Sequence, residues 1–321
     1  MCVATRWQAS IYTLPHKDRL RVLDALRNQR PRTYLLNAEA DAYLDRMHRS
    51  AGVRRKLVHL PRGIVLDAAT ITALLNQHVA NARPRQQPWI REALMVAAYH
   101  AEVAFPVIRL LVCDDAPQFV GLTEELALCW VHDGRHSKKL RPRFDVHLTA
   151  LMSFERDYWA LYRELLAYRE QPTAVERVRL GTAFDTLGAR VTGYDDLDAR
   201  IAKTQAKQGA LLRVLVHPEI PLHNNASELA CRARARKRDV RGGPRTAEGA
   251  KAWDTGMPIG ETAKKLGVSF YRDTHAPDAG GGAQRELSVT GHLGLQLWGA
   301  TTTYLLGNAN VAGDTGVGSG P

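Results

Sequence analysis

The stretch VIRLLVCDD at residues 107–115 limits the fold more than any other part of this chain. It is an apolar run of strand length that stops abruptly at two aspartates, Asp114 and Asp115, and Pro117 closes it. A run that is apolar at odd and even positions alike fits a strand buried on both faces, as in a parallel or mixed sheet covered by helices. The rest of the chain supplies such helices. HKDRLRVLDALRN carries Leu20, Val22, Leu23 and Leu26 at helical spacing. LNAEADAYLDRMH, DAATITALLNQHV with Asp67 as its N-cap, and PWIREALMVAAYHAEV with Pro88 near its start read as three more. Strand-like pieces stand at 1–14 and in LALCWVH, and from about 148 to 213 the chain is helical again, most clearly in ERDYWALYRELLAYRE.

The expected architecture is α/β: a mainly helical region over 1–105, a sheet-bearing core over 106–277 and a tail over 278–321. The core carries a helical insertion at about 148–213. The tail is rich in Gly, Thr and Ala and almost uncharged, so it reads as low-complexity and disordered. A break is expected near Gly256 and Pro258.

Lys and Arg number 44 against 33 Asp and Glu, a formal charge of +11, which favours a polyanionic partner and nucleic acid first. The most apolar stretch, 93–113, is interrupted by His100, Glu102, Pro106 and Arg109, so it is a poor membrane span. Four scattered cysteines without CxxC pairing, and an N-terminus without an apolar signal core, lead to the expectation of a cytoplasmic protein with no membrane partner.

Chemistry gathers at three places. Asp114 and Asp115 end a strand, where carboxylates in open α/β sheets often line the cleft and can hold Mg²⁺; the competing reading is a simple turn cap. In PLHNNASEL, Asn224 and Asn225 precede Glu228. An Asn225 capping box would account for that acid, and a metal ligand favoured by the helix dipole would account for it too. Arg232, Arg234, Arg236, Lys237, Arg238 and Arg241 follow, with Glu228, Arg232 and Arg236 at four-residue spacing along one face. Arginine in such numbers suits bidentate phosphate contacts, although charge runs are often solvated faces. Cys129, His132 and His136 have the spacing of an incomplete zinc site, lacking a fourth ligand unless Asp133 or Cys113 supplies it; the histidines are otherwise candidates for phosphate contact.

Taken in order, LLVCDDAPQF, LCWVHDGRHSKKL, PLHNNASEL and ETAKKLGV make the chain resemble the insertion sequence 66 family of DDE transposases over about residues 107–275. The resemblance implies a ribonuclease H-like mixed sheet with a helical insertion, and two Mg²⁺ ions, replaceable by Mn²⁺, on an Asp-Asp-Glu triad. It also implies DNA partners (element ends and target) and a homo-oligomer. Asp114 matches the family's second aspartate, Glu228 its glutamate, and Asn224 and Asn225 its asparagine pair. His223 stands where the family has Asp, and Leu229 where it has Arg. The first aspartate has no match in 15–105, which reads as helices, and is expected upstream of Met1. The chain is therefore expected to bind DNA without strand transfer. A non-catalytic DNA-binding protein and a ribonuclease H-fold nuclease stand as alternatives.

Overall fold

The computed structural model describes residues 2–4, 9–11, 18–48, 51–79, 86–267 and 304–307. The 1–14 piece contains not one strand but two, β1 (Cys2–Ala4) and β2 (Ala9–Ile11), paired antiparallel. Five helices and a two-strand ladder follow. They are α1 (Arg19–Leu26), β3 (Tyr34–Leu35), α2 (Ala38–Arg46), α3 (Ala51–Leu57), β4 (Val65–Leu66), α4 (Ala68–His78) and α5 (Gln86–His100). Side-chain oxygens of Asp18, Asn37 and Asp67 cap α1, α2 and α4, each accepting from a backbone N–H that the first turn would leave unpaired. Helix α5 is buried at Ile90 and throughout Ala93–Tyr99, so it forms the centre of this region and not a surface stripe.

Strand β5 (Leu110–Cys113) is buried at all four positions, as a strand covered on both faces must be. It pairs in parallel with β6 (Glu125–Leu128). The expectation of a strand through LALCWVH holds only to Leu128. Cys129 turns the chain into α6 (Trp130–Gly134), whose first amide donates to Leu222 O at 2.9 Å. The indole of Trp130 donates to Leu211 O at 2.8 Å. These long-range bonds, absent from any local pattern, decide helix over strand.

The insertion is helical as expected: α7 (Asp145–Glu170), α8 (Ala174–Gly188), α9 (Asp195–Gln205) and α10 (Gln208–Leu211). Then come α11 (Asn225–Arg241), ended at Gly242, and α12 (Ala247–Leu266), ended by Gly267 at φ 67°. Helix α12 runs through Gly256 and Pro258 without the expected break. A proline there forgoes one intrahelical bond at a cost of about 3 kcal/mol, and α12 lies packed along β2.

The 278–321 tail, expected to be disordered, lies outside the described residues except for β7 (Tyr304–Gly307). Strand β7 runs antiparallel to β1 and parallel to β5, giving one mixed sheet in the order β2-β1-β7-β5-β6. One continuous apolar core joins the N-terminal helices, β5 and β6, and the insertion helices. No described helix is long and apolar enough to cross a membrane.

Candidate functional site

The carboxyl ends of β5 and β6 lie side by side, one at Asp114 and the other ahead of His132. Cys129 N donates to Cys113 O at 2.9 Å, so the strand that ends at Asp114 and the one that leads into His132 finish side by side. Asp114 is half-buried, and its Oδ1 accepts from Ala116 N at 3.3 Å, which is the turn-capping geometry expected of an Asp after a strand. That turn is gripped from the N-terminal region. The Arg19 guanidinium donates to Pro117 O at 2.7 Å and Val120 O at 3.2 Å, and pairs with Glu92 at 3.0 Å.

Glu228 arrives from the other side. Helix α11 packs across β1, β2 and β7, with Ser227, Cys231 and Ala235 as its buried face. The capping-box explanation of Glu228 fails. The N-cap is Asn224, not Asn225, and no side-chain cap bond is made. Asn224 is fully buried and Asn225 exposed, so the asparagine pair divides between core and solvent. The Glu228 carboxylate instead turns toward α6, with Oε1 3.2 Å from His132 Nε2. The pair does not meet hydrogen-bond geometry, and Glu228 Oε1 and His132 Nδ1 are buried without a hydrogen bond among the described residues. Such atoms are few in folded proteins, and two of them here mark this corner as one built around polar groups. Cys129 lies in the same corner, touched by the amides of His132 and Asn224; burial holds its thiol above the ordinary cysteine value.

Residues that sequence reading missed hold Asp115 in place. Lys207 pairs with the Asp115 carboxylate and also reaches Asp133 Oδ1 at 3.7 Å. Asp133, buried in α6, pairs with buried Arg200 and accepts from Thr204 Oγ1 at 2.9 Å and Tyr158 OH at 3.4 Å. Arg200, Thr204 and Lys207 recur at four- and three-residue spacing along and just beyond α9. That period is visible in the sequence, but charged residues at it read as a solvated face. His136 lies near this cluster. Burial, then Arg200 and Lys139, hold its pKa below the ordinary histidine value, so this environment disfavours its charged form.

The basic series divides. Arg234 is not a free phosphate clamp: it bonds Asp254 of α12 at 2.7 Å and lies over the Trp253 ring at 5.6 Å. Lys237 lies over the same ring at 5.2 Å, and Arg238 stands 3.5 Å from Asp239. Arg232 and Arg236 are exposed, with no carboxylate partner among the described residues. The side chain of Arg241 lies outside the described residues. Cys129, His132 and His136 do not assemble a zinc site, since the described residues hold no group of three or more His, Cys, Asp or Glu placed to bind a metal. The same statement covers Asp114 and Glu228.

The chain is 32% identical over 274 residues to the protein described as "Uncharacterized protein y4jO" of Sinorhizobium fredii, an alignment spanning 81% of this chain and 80% of that one. No protein-family model matches the chain. No solved structure matches it.

Proposed function

This chain belongs to one family with y4jO of Sinorhizobium fredii, and we propose that it is a DNA-binding protein of DDE-transposase type that holds DNA without strand transfer. The observation that carries this reading is Glu228, at the start of a basic helix packed on a mixed sheet and turned away from its own helix end toward His132, beside the strand that ends in Asp114.

The sheet supports the ribonuclease H-like part of the proposal. Five strands are what the resemblance requires: one bearing the first acid, two that follow it, and the two that finish at Asp114 and before His132. Strands β1, β2, β5 and β6 supply four in that chain order, and the place between β1 and β5 is taken by β7. Strand β7 runs beside Leu111 and Val112, and its four residues, YLLG, include no acid. Two matched carboxylates without a third do not fit the pair of Mg²⁺ ions the resemblance implies, so the proposal contains no metal-borne step.

What remains is electrostatic. Arg232 and Arg236 continue the four-residue spacing begun by Glu228 and point their charge at solvent, where a DNA backbone can take bidentate contacts. The overall charge of +11 adds long-range attraction. The test uses the purified full chain and an end-labelled duplex with Mg²⁺ or Mn²⁺. The expected result is a retarded complex that releases uncut DNA; robust cleavage or joining would refute the proposal.

A further inference from the structure

The segment between α6 and α7 carries cations that the reading above does not use. Residues 135–147, RHSKKLRPRFDVH, hold five Lys and Arg against one acid, Asp145. Arg135, Lys138, Lys139 and Arg143 are exposed, without a carboxylate partner among the described residues, and Arg141 bonds only Lys138 O, at 3.2 Å. The segment is anchored and shaped. Ser137, buried, lies 2.7 Å from Glu155 Oε1 of α7 and 2.8 Å from Gly134 O.

At its end stands an aromatic step. Phe144, 65% exposed, meets the His147 ring edge-on, with centroids 5.4 Å apart at 85°. His147 in turn lies flat on buried Tyr194, at 4.7 Å and 5°. The stack fixes Phe144 from one side and leaves a large apolar ring in solvent beside the cations. An exposed aromatic ring beside cations is a surface on which an unpaired base can stack.

The position fits the same partner as the site. His136 lies within the field of Arg200 and Lys207, and Lys207 binds Asp115. The segment therefore lies near the turn that follows β5.

We propose that residues 135–147 form a second DNA contact, in which Arg135, Lys138, Lys139, Arg141 and Arg143 hold backbone phosphates and Phe144 stacks on an unpaired base. The inference takes its partner class from the DNA-binding reading and adds the form: DNA with single-stranded or frayed ends. The partner has no need of an intact acid triad.

Fluorescence anisotropy of the full chain with a labelled single strand and with a blunt duplex tests it. Phe144→Ala should weaken single-strand binding about 5- to 150-fold, the range of one base–aromatic stack, and leave duplex binding unchanged. The combined Lys138→Ala, Lys139→Ala and Arg143→Ala variant should weaken both. Because these side chains are exposed, thermal melts should match the parent protein. Single-strand affinity unaltered in both variants would overturn the inference. If Arg232 and Arg236 still governed duplex binding, the DNA-binding proposal would survive that outcome. Binding to anionic phospholipid vesicles with no preference for single strands would also overturn it.

Discussion

Replacing Asp133 with Ala should cost more stability than any substitution at the exposed basic residues. The carboxylate side chain is 4% exposed and its partner Arg200 10%, so the ion pair is dry. Removing one member leaves the Arg200 guanidinium buried without its counter-charge, at about 3–5 kcal/mol. Thr204 loses its acceptor as well, whereas Tyr158 keeps its bond to Trp130 O at 3.0 Å, so the loss stays within that range. At about 1.5 °C per kcal/mol for a chain of 321 residues, the melting temperature should fall by about 4–8 °C. Trp130 packs against Tyr158 with centroids 5.0 Å apart, so tryptophan fluorescence during urea unfolding reports on this region. The paired substitution Asp133→Leu with Arg200→Met should recover most of the loss, because removing both charges removes the desolvation cost of each. A loss under about 1 kcal/mol for Asp133→Ala, or a double variant no better than the single, would refute the buried-pair account.

Two other outcomes follow from the same corner. His136 and His223 are both held below the ordinary histidine value, His136 by burial, then Arg200 and Lys139, and His223 by burial and then Arg169. Unfolded histidines take up protons near pH 6.5, so the unfolded state binds more protons below that pH and stability should fall as the solution is acidified through it; His136→Gln and His223→Gln should flatten the fall in urea melts at stepped pH. Gly134→Ala should destabilise by about 1–3 kcal/mol, since the added Cβ would come 2.7 Å from the Trp159 ring and 2.9 Å from the Tyr158 ring; a melt unchanged from the parent would show that α6 can shift to accept it.

Much of the fold is legible where a period is long and local. The buried run at Leu110–Cys113, the N-cap at Asp67 and the insertion helices all follow from residue spacing. Strand β7 does not, because four apolar residues in a glycine-rich tail become a strand only through pairing with β1 and β5, on segments remote in sequence. The same holds for α6, whose helix is set by bonds to Leu211 and Leu222.

At the site, Asp114 and Glu228 are marked by motif, but their surroundings are not. The Asp133–Arg200 pair joins positions 67 residues apart and leaves no local signature. The division of the basic series is also hidden. Arg234 is withdrawn from the exposed basic series because α12 presents Trp253 and Asp254 to it.

The central claim is that Arg232 and Arg236, beside Glu228, hold a DNA backbone. Its most direct test is the dependence of duplex affinity on salt, measured for the wild-type chain and for the Arg232→Ala, Arg236→Ala double variant. Each phosphate contact contributes about 0.9 to the slope of log affinity against log salt, so the variant's slope should be shallower by about 1.8. Arg234→Ala should leave the slope unchanged, since that guanidinium is committed to Asp254. Equal slopes for the wild type and the double variant would contradict the claim.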